Sequence, residues 1–329
     1  MKHPSPRAVA VLILVGATAQ CNSTPTDPSN TQDPPYSNLS TDTRVALSGR
    51  PYSVAVASTG AVYVAVLDAS TLARTNLPTF AFDTAAKVGS VPTEVAFNST
   101  GTTAYVTNQG DQNVGVVDVA SNTQTTTVPV AGNPFAVIVA PGDSIVYVTT
   151  TADSLFGIRT ASNTIARRLY MPRISNGLAI HGSLLYVSTR DAGTVTEVDM
   201  TTNTVVRTLQ VGGSPQGIVV SPDGAKLYIA NQNGTLQFWD LTANSGTAVP
   251  LAGPGYGLAL CPADGRLYAT TLGSYPVSGG GEVQVFDPTT HSLVTSYLLG
   301  GWARRIAFNT TGTVAVVAND NGGWVDFLH

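Results

Sequence analysis

Short apolar segments recur along the chain and mix valine, isoleucine, threonine and tyrosine, with polar turns between them. β-branched and aromatic side chains pack well on a pleated sheet, so these segments favour strands over helices. Turn sequences such as SPDG (221–224), NQNG (231–234) and TNT (202–204) end them. The pattern therefore predicts an all-β protein.

The strands form a repeat of close to forty residues. Seven anchor residues, each at the start of an apolar strand, lie 41, 42, 41, 40, 40 and 48 residues apart: Pro51, Pro92, Pro134, Ser175, Pro215, Gly255 and Ala303. A second strand begins at Tyr63, Tyr105, Tyr147, Tyr186, Tyr228, Tyr268 and Val316. A third strand closes at Asn76, Asp118, Arg159, Asp199, Asp240, Asp287 and Asp326.

Four short strands every forty residues are typical of a β-propeller blade, because one such sheet buries both faces only when neighbours stack on it. The competing all-β fold, a pair of β-sandwiches, would show no fixed repeat length in the sequence. We therefore predict a seven-bladed β-propeller with four-stranded antiparallel blades.

The chain ends predict how the ring closes. Only three residues follow Asp326, so the seventh unit lacks a fourth strand. VALSGRP (45–51) matches VPVAGNP (128–134), which is a fourth strand followed by the next anchor. We expect the N-terminal strand to complete the last blade, with Val45, Leu47 and Val325 buried there to offset the loop-closure entropy.

The first 20 residues have the order of a secretory signal peptide: Lys2 and Arg7, then an apolar run, then small residues. Ordinary cleavage would fall before Gln20, whereas TAQC (18–21) resembles a lipobox and would leave a lipidated Cys21. Residues 21–41 are rich in Pro, Ser and Thr and are expected to be a disordered tether before the propeller at 42–329. We expect the protein to be exported and to be either lipid-anchored in the cell envelope, periplasmic or secreted.

Composition narrows the function classes. With 43% hydrophobic and 11% charged residues the chain can bury a large core, which excludes disorder for most of it. The net charge is −4, and it becomes −6 if Lys2 and Arg7 leave with the leader. Nucleic-acid binding is therefore disfavoured, because that attraction depends on neutralising phosphates.

The YVTN of residues 105–108, its echoes YVTT, YVST and YIAN, and SPDGAKLYIAN (221–231) resemble the YVTN-repeat family of seven-bladed propellers. The resemblance covers residues 42–329. It implies the fold and a bacterial exported protein or lipoprotein. It implies function only weakly, since similar proteins include surface-layer proteins and relatives of lactonases.

Candidate binding residues are those in which the repeats differ on the face where each fourth strand leads into the next first strand. Blades 6, 7 and 1 become neighbours in a closed ring, and aromatic rings with guanidinium groups there suit an anionic or sugar-like ligand. With one carboxylate from blade 2, the predicted site comprises Arg50, Tyr52, Glu94, Tyr256, Trp302, Arg304 and Arg305. The long insertion at 272–282 lies beside it.

Catalytic motifs are sparse. His181 and His291 fall in turns of the opposite face two blades apart, so no metal or haem site and no cofactor is expected. We favour a non-catalytic, monomeric module that binds a small molecule, a glycan or an envelope protein. One alternative is a lactonase-like or lyase-like enzyme with Glu94 as its base, and another is single-stranded nucleic-acid binding through the aromatic and arginine cluster.

Overall fold

A computed structural model of the chain describes residues 39, 42–82, 84–171, 175–273 and 280–329. The predicted signal peptide at 1–20, Cys21 and all of the tether at 21–41 except residue 39 lie outside these ranges. Seven four-stranded antiparallel sheets form the ring of a β-propeller, which confirms the predicted fold. Among the described residues, no helix is long and apolar enough to cross a membrane.

One 3₁₀ helix, Arg190–Ala192, accompanies twenty-eight strands in the described ranges. In chain order the strands are β1 (Asp42–Ala46), β2 (Pro51–Val56), β3 (Ala61–Val66), β4 (Thr71–Asn76), β5 (Thr84–Lys87), β6 (Pro92–Phe97), β7 (Thr103–Asn108), β8 (Asn113–Asp118), β9 (Thr123–Pro129), β10 (Pro134–Val139), β11 (Ile145–Thr150), β12 (Ser154–Arg159), β13 (Thr164–Tyr170), β14 (Ser175–His181), β15 (Leu184–Thr189), β16 (Thr194–Asp199), β17 (Thr204–Leu209), β18 (Pro215–Val220), β19 (Lys226–Asn231), β20 (Thr235–Asp240), β21 (Ser245–Pro250), β22 (Gly255–Leu260), β23 (Leu267–Thr271), β24 (Glu282–Phe286), β25 (Leu293–Leu298), β26 (Ala303–Phe308), β27 (Ala315–Asn319) and β28 (Trp324–Leu328).

Blade 7 is closed by the N-terminal strand, as the sequence predicts. Its sheet order is β1-β28-β27-β26, and β1 pairs antiparallel with β28 so that Val45 lies opposite Val325. Val325 is fully buried, and Val45 and Leu47 pack against its cluster. The two ends of the propeller therefore share one sheet, and β28 has no free edge.

The tyrosines at the start of the second strands lie between blades. Tyr63 is fully buried in one cluster with Val95 and Val106 of blade 2, and its ring stacks on Phe97 at 5.3 Å. The other five, Tyr105, Tyr147, Tyr186, Tyr228 and Tyr268, are also buried. These tyrosines therefore pack between blades, because each blade buries its face against the next.

The third position of the YVTN motif, two residues after the tyrosine, carries a hydroxyl group that links neighbouring blades. The Thr149 hydroxyl accepts a hydrogen bond from the Ala136 N–H at 3.1 Å and donates to the Ser175 carbonyl of the next blade at 3.0 Å. Thr107, Ser188 and Thr270 donate in the same way to Phe135, Gln216 and Arg304 at 2.9, 2.8 and 2.7 Å. These hydroxyls tie neighbouring blades together inside the molecule.

Aspartates at the ends of the third strands hold the turns. Asp199, for example, accepts backbone N–H groups of Thr201 and Thr202 at 2.6 and 3.3 Å, which is the hydrogen bonding of an Asx-turn. Blade 7 is an exception: Asp326 lies inside β28 opposite Val317, and His329 occupies the column position. The alignment of Asp326 with this column was therefore wrong by three residues.

Candidate functional site

A β-bulge opens the first strand of every blade. The register shifts within the first few residues of all seven strands, for example between Pro51 and Ser53 and between Ala303 and Arg305. A bulge re-aims a side chain, so it can turn the second residue of each strand toward the axis. These residues form what we call the mouth ring: Tyr52, Thr93, Phe135, Asn176, Gln216, Tyr256 and Arg304.

The mouth ring is packed against itself and not open. Four of its members, Thr93, Asn176, Gln216 and Tyr256, are at most 3% exposed. The Tyr52 ring meets those of Phe135 and Tyr256 edge to face, each at 6.3 Å, and the two tyrosine hydroxyls lie 2.7 Å apart. Since these residues belong to blades 1, 3 and 6, the contacts span the ring and close the mouth.

Arg304 lies among three aromatic rings. Its guanidinium carbon is 4.6 Å from the ring centre of Tyr52, 4.8 Å from that of Tyr256 and 5.5 Å from that of Trp302. A cation over an aromatic face is attracted by the ring quadrupole. Burial raises the pKa of Tyr52 and the nearby Tyr256 adds to the shift, although Arg304 opposes it. Tyr52 therefore remains a neutral hydrogen-bonding group.

Asp320 is a site residue that the sequence interpretation missed. Its fully buried carboxylate accepts Arg304 Nε at 2.5 Å and Arg50 Nε and Nη2 at 2.7 and 3.1 Å, and its N–H donates to the Trp302 carbonyl at 3.0 Å. It stands in a turn sequence, NDNGG (319–323), where aspartate is common. The available signal was its place directly after a second strand, on the face of the predicted site.

Arg305 and Glu94 form a second layer, one residue further along the first strands. Arg305 Nη2 lies 3.3 Å from Glu94 Oε2 and donates to the Asn176 carbonyl at 3.2 Å, so its side chain links blades 7, 2 and 4. Burial raises the pKa of Glu94, while Arg305 and a backbone hydrogen bond from Val137 oppose the shift. The pair crosses the channel beneath the mouth ring.

All seven predicted residues thus lie in two layers. The upper layer contains Arg50, Tyr52, Tyr256, Trp302 and Arg304, and the lower layer contains Glu94 and Arg305. Residues 274–279 of the insertion lie outside the described ranges; at its start, Leu272 forms a β-bridge with Trp302. Ligand binding by these residues stays a prediction.

Metal and enzyme chemistry would depend on the histidine, cysteine and carboxylate side chains of the same ranges. Within them, no three His, Cys, Asp or Glu side chains are grouped to hold a metal ion. His291 stacks on Phe238 at 4.0 Å in a turn. The carboxylate of Glu94, the base that the hydrolase alternative requires, is ion-paired with Arg305 below the closed mouth.

No family model and no curated protein matches the sequence. Among solved structures, the chain is similar to a chain of hydrazine synthase from Kuenenia stuttgartiensis. The TM-score is 0.75 and the identity 15%, and the match covers 92% of this chain and 99% of that one. A likeness at this identity shows the propeller fold and does not transfer an activity.

Proposed function

We propose that the protein is a non-catalytic binding module of the bacterial cell envelope, and that it engages an anionic or sugar-like ligand on the upper layer. The main support is Arg50, whose side chain is 47% exposed while its guanidinium is held by the buried Asp320. A preorganised guanidinium loses little entropy when it binds a carboxylate or phosphate. The ligand is a small molecule, a glycan or an exposed loop of an envelope protein.

Charge and donor counts support an acidic ligand. Arg50 and Arg304 share the single carboxylate of Asp320, so these three side chains together carry one positive charge, and the Asp68 carboxylate lies beside them, accepting the Arg50 main-chain N–H at 2.8 Å. Asp320 uses the Nε and one Nη group of Arg50, and a guanidinium carries five N–H donors in all. Donors remain on Arg50 for a bidentate contact, and the partly exposed Trp302 offers a stacking face for a sugar ring.

The test compares glucuronate with glucose in thermal-shift and calorimetric titrations. We expect glucuronate to bind more tightly than glucose to the parent chain. The parent's preference for glucuronate should be at least tenfold. Arg50→Ala should abolish this preference, because it deletes the exposed cation while Arg304 still pairs with Asp320. Trp302→Ala should weaken both sugars by losing the stacking face.

Arg159→Ala is the matched control, since Arg159 is an exposed arginine at the end of β12. It should bind both sugars as the parent does. An Arg50→Ala variant that keeps the parent's preference for glucuronate would contradict the proposed site. Capture of an envelope component from membranes by the parent, and not by a Trp302→Ala, Arg304→Ala double variant, would support a macromolecular ligand.

We also propose that the chain is an exported YVTN-repeat protein, lipidated at Cys21 or cleaved before Gln20. The support is the sequence pattern of the leader and of the repeats. Mass spectrometry of the mature N-terminus from a bacterial host distinguishes the two. A diacylated peptide starting at Cys21 supports lipidation, and a free N-terminus at Gln20 supports ordinary cleavage. An uncleaved Met1 would contradict export.

A further inference from the structure

A cavity of about 170 Å³ lies on the channel below the upper layer. Its walls come from the first strands of six blades and include both charged residues of the lower layer, Glu94 and Arg305. The rest of the wall is largely apolar or glycine: Val54, Gly177, Leu178, Gly217, Ile218, Val219, Leu258 and Ile306. One charge of each sign therefore faces a small space whose accessible surface is mostly polar, with apolar side chains between the charged groups.

The guanidinium of Arg305 is incompletely paired. Its Nη2 makes both observed bonds, whereas its Nε is buried and has no hydrogen-bond partner among the described residues. A buried donor without a partner costs free energy comparable to a lost hydrogen bond, more when charged. The 3.3 Å contact with Glu94 is also long for a charge-assisted bond. Both groups can therefore gain from a further partner.

The cavity is reached from the face opposite the mouth. On the mouth side the self-packed mouth ring closes the channel. At the other end, the last two residues of the first strand are partly exposed in all seven blades. The space is therefore separate from the upper layer and opens in the opposite direction.

We propose that this cavity is a second binding site, which takes a small aliphatic zwitterion of the α-amino acid type. The ligand carboxylate pairs with Arg305, including its Nε, and the ligand ammonium pairs with Glu94. A simple anion would instead meet the Glu94 carboxylate, and a simple cation would meet Arg305, so each would add like-charge repulsion in a partly desolvated space.

The size and wall of the cavity limit the side chain of the ligand. At about 30 Å³ for each water molecule, the space corresponds to roughly six waters. This volume suits a molecule of the size of alanine. Leu178, Ile218 and Leu258 provide an apolar surface for its methyl group, whose burial favours binding. Larger or charged side chains should be rejected.

The experiment titrates L-alanine, propionate and L-alaninamide into the purified protein by calorimetry and ligand-observed NMR. L-Alanine should bind at least tenfold more tightly than propionate, which lacks the ammonium, and L-alaninamide, which lacks the carboxylate. Arg305→Lys, which keeps the charge and loses Nε, should weaken L-alanine at least tenfold. The Arg159→Ala control should bind as the parent does.

Glu94→Gln gives an independent check, because the amide keeps the size of the carboxyl group and removes its charge. It should lower L-alanine affinity and raise propionate affinity, so that the selectivity reverses. No binding of L-alanine by the folded parent at tens of millimolar would overturn the proposal. So would unchanged selectivity in Glu94→Gln, or loss of L-alanine binding in Trp302→Ala, which would place the ligand at the mouth.

Discussion

The carboxyl group of Asp326 lies at the seam where the chain ends meet. Its buried side chain accepts Arg44 Nε at 2.7 Å and Trp324 Nε1 at 3.0 Å, and Arg44 also stacks over the Trp324 ring at 4.3 Å. Burial, together with the nearby Asp42 carboxylate, raises the pKa of Asp326 to about 7 against the opposing effects of Arg44 and Trp324. The seam therefore holds a carboxyl group that titrates near neutral pH.

This shift predicts a pH dependence of stability. An unfolded aspartate titrates near 3.9, so the folded chain holds a proton that the unfolded chain releases. The resulting stabilisation is full below about pH 4 and is lost as the pH rises through 7, by at most about 4 kcal/mol. Asp326→Asn should reduce this pH-dependent fall in the free energy of unfolding, as measured by urea unfolding between pH 4.5 and 8.

The exposed Asp191 provides a matched control. Asp191→Asn should leave the parent's change in unfolding free energy with pH as it is, because an exposed carboxylate changes its environment little on unfolding. Equal slopes for Asp326→Asn and the parent would show that Asp326 does not titrate in this range. Asp42 shares the seam and has a pKa raised mainly by burial, so Asp42→Asn should flatten the slope in the same direction.

At the scale of single elements, the hydroxyl bridges give the repeat its specific residues. Thr149 is fully buried and joins β10 and β11 of its own blade to β14 of the next. Thr149→Val keeps the shape and β-propensity but leaves the Ala136 N–H and the Ser175 carbonyl without this partner. Loss of such buried bonds costs about 1–3 kcal/mol. We expect a lower urea midpoint of unfolding with an unchanged slope.

The control for this variant is Thr126→Val, on the exposed fourth strand β9 of blade 2. Its effect should stay within about 0.5 kcal/mol, since surface substitutions away from special features are nearly neutral. If both variants lose the same stability, the bridging hydroxyl is not the cause.

At the scale of the whole molecule, stability depends on closing the ring. A chain that starts at residue 47 would lack β1, including Arg44 and Val45, and would expose the edge of β28. Loss of the apolar burial and of the ion pair to Asp326 should cost on the order of 5 kcal/mol. We expect a large fall in the thermal midpoint and a broader transition by calorimetry.

A chain that starts at residue 38 is the matched control. It keeps Leu39, which is buried against the blade 6 and blade 7 cluster, and it keeps β1. This chain should unfold like the full-length protein. A chain starting at residue 47 with the same midpoint would show that closure by β1 contributes little.

The sequence by itself determined the strands, the number of blades and the closing strand. Strand formation depends on nearby side chains, and a stacked repeat imposes the same pattern on every unit, so the forty-residue period carries the architecture. The unusual residues on either side of the anchors also identified the seven predicted members of the two layers. The repeat alignment misplaced Asp326, because the last blade has no following anchor to define the register of its third strand.

Tertiary structure alone decided which of these residues touch and which surfaces stay open. Arg305 and Glu94 are 211 positions apart, and Arg50 and Asp320 are 270 apart. Their meeting depends on how blades turn around the axis and on how the bulges aim side chains inward. A one-dimensional pattern does not encode that geometry. For the same reason the closed mouth, the buried Asp320 and the cavity beneath the mouth emerge only when the ring is complete.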